Sequence, residues 1–270
     1  MTDGKTGQAS VSRVVTDAER SRSFGAIAAD YDRLRPSPAP EAVHWLLPER
    51  RDVVVDVGAG TGLFSRGLAS QGAHVIAVEP DERMRAILQA RSPGIEVIAG
   101  SGEAIPMPDG SADGLFASSA WHWMDSARAI PEVARVLRDG GRFGLAWTGR
   151  DPDSDWLRPD LWFREPLEAM DRYAAEMRAR GSSEQRGLPT ADGGLFANIE
   201  TETFRYSRSM TPADLVEWLT TYSRVLTAPA RQRERGRARA AAAIAQRFPD
   251  AELIDVPLRT RCWRSDRVRR

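Results

Sequence analysis

The stretch VVVDVGAGTGLF, from Val53 to Phe64, sets three glycines within five residues directly after a run of valines. β-Branched residues are stiff and suit a buried, pleated strand. Each glycine instead loses conformational freedom when the chain orders. A chain that ends its stiffest segment on its most flexible residues needs the backbone there to turn sharply or to lie against a partner. Beyond the glycines, Leu63, Phe64 and Leu68 give a helical stripe, and Gly72 stands where a C-terminal cap belongs. The unit is strand (52–57), glycine-rich turn, helix (61–72).

The alternation continues outward. HVIAVE (74–79) predicts a second strand, DERMRAILQAR (81–91) an amphipathic helix, and IEVIAG (95–100) a third strand. PDGSADGLFASS (108–119) is a turn entering a fourth strand. SARAIPEVARVLRDGG (126–141) predicts a helix stopped by its two glycines, and RFGLAWT (142–148) a fifth strand. Short strands alternating with helices argue for a parallel sheet covered on both faces, wound both ways by right-handed crossovers. After Trp147 the character changes. Residues 151–187 look mainly helical, 199–210 a strand, 211–223 and 231–248 helices, and 256–265 a last strand. These strands can extend the same sheet, which favours one domain over two.

Composition narrows the function classes. The 38 basic and 38 acidic residues cancel, so no global charge draws the chain to nucleic acid or an anionic membrane. The arginines of 231–239 and those after Leu258 read as solvated faces, with a nucleic-acid surface the disfavoured alternative. The single cysteine, Cys262, excludes an internal disulfide framework and a cysteine-based zinc site, and three scattered histidines argue against a catalytic metal. No run approaches the about 20 apolar residues that cross a bilayer. Residues 1–20 lack a signal-peptide core and read as a flexible tail. A cytoplasmic protein without nucleic-acid or membrane partners is the expectation.

The glycine turn opens a helix, whose N-terminus offers free N–H groups and partial positive charge. A dinucleotide site wants two residues before the last glycine of G-x-G-x-x-G; here G-A-G-T-G has one. Yet Glu79 ends the next strand, 21 residues after Gly58, where an acid can take both hydroxyls of an adenosine ribose. The pattern therefore asks for a nucleoside without a diphosphate. A nicotinamide-dependent oxidoreductase is disfavoured by the same spacing and by the lack of a Tyr-x-x-x-Lys or hydride-relay constellation.

VVDVGAGTG, VEPDERM, GSGEAIPMPDGSADGLFASSAWHWMD and RVLRDGGRFGLAW resemble successive motifs of the class I S-adenosylmethionine-dependent methyltransferases. The subgroup resembled includes small-molecule methyltransferases such as those acting on trans-aconitate. FGAIAADYDRLRPSP (24–38) is similar to that subgroup's leader, which covers the cofactor. The resemblance runs from about Phe24 to Arg150. It implies a doubly wound, Rossmann-like α/β fold with a seven-stranded, mostly parallel sheet and helical cap insertions. It divides residues 21–270 into N-terminal lid helices (21–50), a cofactor-binding core (51–150), a substrate or cap region (151–198) and C-terminal elements completing the sheet (199–270).

The same resemblance implies S-adenosylmethionine as cofactor and assigns roles. Asp56 and the turn Gly58, Ala59, Gly60 and Gly62 would cradle its methionyl and ribose parts, and Glu79 would bind the ribose hydroxyls. Pro80 and Met84 would line the adenine face. Ser101 and Gly102 would meet the adenine edge, and Glu103 and, at the end of the fourth strand, Ser118 are further cofactor-binding candidates. Many relatives carry Asp where Ser101 stands, and a serine accepts more weakly. Tyr31 and Arg35 would close over the cofactor, Arg35 as a candidate for its carboxylate. Binding motifs do not report turnover, so a non-methylating protein or rearrangement catalyst on the same fold stays open.

Methyl transfer from a sulfonium needs mainly positioning, and a base only if the acceptor must lose a proton. His122, between Trp121 and Trp123, is the candidate base; the alternative is a histidine packed beneath its loop. Trp121, Trp123, Trp156 and Trp162 are candidates for an acceptor pocket, with core packing the alternative. The acceptor would be a small organic molecule methylated on oxygen or nitrogen.

Overall fold

The computed structural model describes residues 24–151, 153–154 and 194–269. A short 3₁₀ turn, Phe24–Ile27, leads into helix α1 (Ala28–Leu34), and α2 is Pro40–Leu46. Then follow β1 (Val54–Val57), α3 (Leu63–Ser70), β2 (Val75–Val78), α4 (Glu82–Arg91), β3 (Glu96–Ile98), β4 (Ala112–Ser118), α5 (Ser126–Val136) and β5 (Leu137–Arg150). The C-terminal part adds β6 (Phe196–Met210), α6 (Pro212–Thr220), α7 (Ser223–Leu226), α8 (Ala230–Arg247) and β7 (Ile254–Arg267).

The described strands form one seven-stranded sheet in the order β3-β2-β1-β4-β5-β7-β6. β1 to β5 are parallel, Val55 pairing with Ile76 on one side and Leu115 on the other. β7 enters antiparallel between β5 and β6. All four β1 residues are buried, as expected of a strand covered on both faces. One face packs on α2 and α3 through Val43, Leu46, Phe64 and Leu68. The other packs on α5 through Val133, Leu145 and Phe143. Pro257 is tolerated inside β7 because β5 has ended there: its last residue, Arg150, lies opposite Leu258.

Two expectations need correction. The helix predicted through Gly141 stops at Val136. Leu137 turns to extended backbone, is fully buried and pairs with Ala112 of β4, so packing at the base of the sheet overrides the helical period. Of the two leader helices, α2 is a layer element rather than a lid: Ala42, Val43 and Leu46 are buried within the core on that face.

The register locates a cap. Arg150, at the C-terminal end of β5, is level with Leu258 and Tyr206, and the last β6 pair is Met210 with Ile254. The connection from 211 to 253, which carries α6 to α8, therefore leaves from the C-terminal edge of the parallel strands, where ligands bind in open α/β sheets. Leu215, Trp218 and Ile244 of this connection form their own apolar cluster with Leu34 of the leader and Leu258 of β7.

Candidate active site

The glycine turn begins where β1 ends. The N–H groups of Gly58 and Ala59 both donate to the Val78 carbonyl (2.8 and 3.2 Å), folding the turn back against β2. Gly58, Gly60 and Gly62 have φ of +67°, +58° and +85°, a region costly to residues with a Cβ. A Cβ at Gly62 would lie 2.7 Å from Leu88, so this glycine lets α3 pack close to α4. A Cβ at Gly60 would meet nothing within 4 Å. The bare backbone of Gly60 thus faces open space.

Glu79 is buried at the end of β2. Its Oε2 accepts from the Gly60 N–H at 2.8 Å and its Oε1 from the Asp81 N–H at 2.9 Å. Each oxygen keeps acceptor capacity, so the carboxylate is oriented with room for two hydroxyl donors. Burial pushes its pKa up, opposed by these two N–H groups. Asp56 lies beneath the turn. Its Oδ2 accepts from the Ser65 hydroxyl at 2.5 Å, and burial raises its carboxyl to about 7, the nearby Glu79 charge adding to the rise. Asp56 Oδ1 and the Thr61 hydroxyl are buried with no hydrogen-bond partner among the described residues.

The remaining expected site residues sit around this turn. Asp81 caps α4 by accepting from the Arg83 N–H (2.9 Å), which places Pro80 exposed and Met84 buried on successive turns. Ser101 and Ala104 form an isolated antiparallel bridge around Gly102 and Glu103. Glu103 Oε1 accepts from the Asp125 N–H at 2.8 Å, tying that turn to the start of α5. Ser118 pairs with Ala146, and Ser119 takes a φ of +53°, the strained residue that swings the chain out of β4.

The turn after β4 separates the aromatic candidates. Trp121 is buried, its ring 5.0 Å from Phe143 within the core on the α5 face. Packing on Phe143 of β5 holds it in the core, the alternative weighed for it above. Trp123 is partly exposed with its ring 4.6 Å from that of His122. His122 Nδ1 is buried, so only Nε2 could meet an acceptor. Trp156 and Trp162 lie outside the described residues.

Sequence reasoning missed how the leader is fastened. Asp32, buried, accepts from Arg66 at 2.6 Å, and Arg66 also donates to the Thr61 carbonyl (2.9 Å). One arginine thus joins α1 to the glycine turn. Gly25 abuts the Arg83 side chain of α4. Arg33 pairs with Asp214 of α6. Arg208 of β6 donates to the carbonyls of Arg33, Leu34 and Arg35, each at 3.0 Å, closing the end of α1. Met124 was also missed: its sulfur and methyl stand within 3.3 Å of where Cβ atoms on Gly102 and Gly58 would be. Motif periodicity gives no signal for contacts spanning 173 positions, such as Arg208 to Arg35.

A parallel sheet with an antiparallel β7, a glycine turn open at Gly60 and an oriented acid at the end of β2 define a class I S-adenosylmethionine-dependent methyltransferase. The residues fit that cofactor: an exposed backbone for close approach, two carboxylate oxygens with spare acceptor capacity, and the unpartnered Thr61 hydroxyl in the turn. The methyltransferase domain family model matches residues 55–145. An uncharacterized methyltransferase of Mycobacterium tuberculosis is 39% identical over 215 residues, covering 80% of this chain and 82% of that protein. The chain belongs to the methyltransferase family and is an S-adenosylmethionine-dependent enzyme.

Solved structures agree on the fold. A protein of Anaeromyxobacter dehalogenans assigned to the type II methyltransferases has a TM-score of 0.57 at 23% identity, covering 86% of this chain and 96% of that one. Phosphoethanolamine N-methyltransferase 2 of Haemonchus contortus, in complex with S-adenosyl-L-methionine, has a TM-score of 0.50 at 17% identity, covering 94% and 58%. Among the described residues no helix is long and apolar enough to cross a membrane.

Proposed function

We propose that this enzyme methylates an oxygen or nitrogen atom of a small organic acceptor in the cytoplasm. The observation that carries the reading is the place of two segments of the chain at the edge of the sheet where ligands bind in open α/β folds. The leader, fastened to Arg66 and Asp214, and the 211–253 cap both lie at the C-terminal edge of the sheet. A binding edge flanked by the chain's own leader and cap suits a small acceptor better than a bulky polymer.

S-Adenosylmethionine, when bound, supplies a methyl group on a positively charged sulfur. Gly58, Ala59, Gly60 and Gly62 with Thr61 would hold its amino-acid side, with Asp56 supporting the turn through Ser65. Glu79 would hold the ribose, Pro80, Met84, Ser101 and Gly102 the adenine side, and Glu103 and Ser118 would complete the cofactor site. Tyr31 and Arg35 would close the site from the leader, with Trp123 facing the acceptor. The acceptor lone pair is aimed by these groups, and the work is positional. His122 Nε2 would take the proton of a hydroxyl or protonated amine; a carboxylate acceptor has none to give.

The test is incubation with methyl-labelled S-adenosylmethionine and separate small-molecule, protein and nucleic-acid fractions of a cell extract. Label appearing in a small molecule is the expected result. Label confined to macromolecules would overturn the reading.

A further inference from the structure

Three glycines leave the cofactor turn pliant, so its shape is set by ties from outside. Gly58 and Ala59 donate to the Val78 carbonyl, and Gly60 donates to Glu79. These ties end on β2 and the residue after it, in the body of the sheet. A further tie does not: the Thr61 carbonyl accepts from Arg66 Nη1 at 2.9 Å. The same nitrogen donates to the buried Ser92 hydroxyl at the end of α4 (3.1 Å), and Arg66 Nη2 donates to Asp32 Oδ1 of α1 at 2.6 Å. Gly62 makes room for this guanidinium, since a Cβ there would lie 3.4 Å from Arg66 Nη1. Arg66 thus bonds the leader and the turn at once.

Asp32 is buried, and a carboxylate taken out of water needs a partner. Its partners come from the cofactor side of the fold: Arg66 on α3 and, at 3.9 Å, the more exposed Arg91 at the end of α4. Different groups hold the other end of α1. Arg33 pairs with Asp214 of α6, and Arg208 of β6 donates to the carbonyls of Arg33, Leu34 and Arg35. Helix α1 therefore spans from the glycine turn to the cap, with the Arg66 guanidinium as its link on the turn side.

From this arrangement we propose that Arg66 is a positioning residue that couples docking of the leader to occupancy of the glycine turn. The proposal rests on the cofactor placement given above and adds a regulation of that same site. Thr61 stands at the junction. Its carbonyl is gripped by Arg66, and its neighbour Gly60 presents bare backbone to open space. A ligand lying on Gly60 stiffens the turn, which fixes the Thr61 carbonyl and keeps the guanidinium aimed at Asp32. Without that grip Asp32 is left with one distant arginine, and α1 lifts to return the carboxylate to water. Coupling of this kind is reciprocal: a ligand that tightens the leader is itself bound more tightly when the leader is docked.

The experiment is hydrogen–deuterium exchange of leader peptides covering 24–35, with and without S-adenosylhomocysteine, beside calorimetric titration of the same ligand. The proteins are wild type, Arg66→Met, Arg66→Lys, Asp32→Asn and the double variant Asp32→Asn/Arg66→Met. In wild type the ligand should slow leader exchange by about tenfold or more. In Arg66→Met the free leader should exchange faster, the ligand should slow it by less than about twofold, and S-adenosylhomocysteine should bind about tenfold more weakly. Exchange in β1 and β4 should match wild type, which a general loss of stability would not allow. Arg66→Lys keeps a cation near Asp32 but lacks the fork that reaches Thr61 as well, so it should fall between. Asp32→Asn should shift both readouts the same way, and the double variant should be no worse than Arg66→Met, because both changes cut one link. If Arg66→Met melts early, Asp32→Asn carries the comparison. Leader exchange that ignores the ligand in wild type, or is slowed equally in wild type and variants, overturns the proposal. So do affinity losses that multiply in the double variant. S-Adenosylhomocysteine that binds wild type and Gly60→Ala alike would overturn the cofactor placement and the coupling together; a loss in Gly60→Ala with leader protection unchanged in the Arg66 variants would overturn the coupling alone.

Discussion

Replacing Glu79 by glutamine separates its two roles. In the folded protein both carboxylate oxygens already accept backbone N–H groups, from Gly60 at 2.8 Å and Asp81 at 2.9 Å. The ribose bonds would use their remaining lone pairs. Hydrogen bonds to a charged group are each worth roughly 1.5–3 kcal/mol. Glutamine keeps one oxygen acceptor and turns the other into a donor, so about one charged bond to the ribose is lost. At about 1.4 kcal/mol per tenfold, S-adenosylhomocysteine should bind roughly 10–150 times more weakly. The fold should lose less. Glutamine opposes one backbone N–H, but it also removes a buried charge whose desolvation raises the Glu79 pKa. Calorimetry with S-adenosylhomocysteine reads the affinity, and urea unfolding reads the stability. A folded Glu79→Gln protein with affinity within twofold of wild type would refute the ribose assignment. The charged form is the competent acceptor, so wild-type affinity should also weaken as pH falls through the raised Glu79 pKa, and the glutamine variant should lack that limb.

Gly60→Ala should cost roughly 1–2 kcal/mol of stability, from its φ of +58° alone, since the new Cβ meets no protein atom. S-Adenosylhomocysteine binding should fall far more, by about a hundredfold; equal small losses in both measurements would remove the cofactor from this backbone. Asp56 holds its proton in the folded state between its ordinary value of 3.8 and about 7. Stability should therefore be fullest below about pH 4 and decline by on the order of 4 kcal/mol as pH rises through 7. Asp56→Asn should flatten that window in urea titrations at stepped pH, and parallel wild-type and variant profiles would mean that Asp56 ionises normally. For an acceptor that loses a proton, His122→Ala should lower turnover by about 10²–10⁴ and erase the acidic limb of the pH–rate profile, with cofactor affinity kept. Loss of turnover and affinity together would show instead that His122 holds the turn between Trp121 and Trp123.

The sequence by itself determined the α/β core and the cofactor turn, because both follow from short-range rules. A valine-rich run makes β1, the three glycines take left-handed backbone within five residues, and Asp81 and Asp125 cap the helices beside them. The parallel order then leaves Glu79 at the end of β2, one strand from the turn it braces. What only the tertiary structure decided depends on contacts between distant segments. Leu137 left its helical run because burial beside Ala112 outweighed local propensity. Trp121 and Trp123, two positions apart and equal candidates as a sequence, part company at the strained turn after β4, one buried in the core and one partly exposed. Asp32 meets Arg66, Arg33 meets Asp214, and Tyr222 comes to the face of Arg35 only once the antiparallel pairing of β6 and β7 sets the cap on the crevice edge. Such pairings join positions far apart in the chain, and no periodicity encodes them: shape and charge complementarity choose the partners after the sheet has closed.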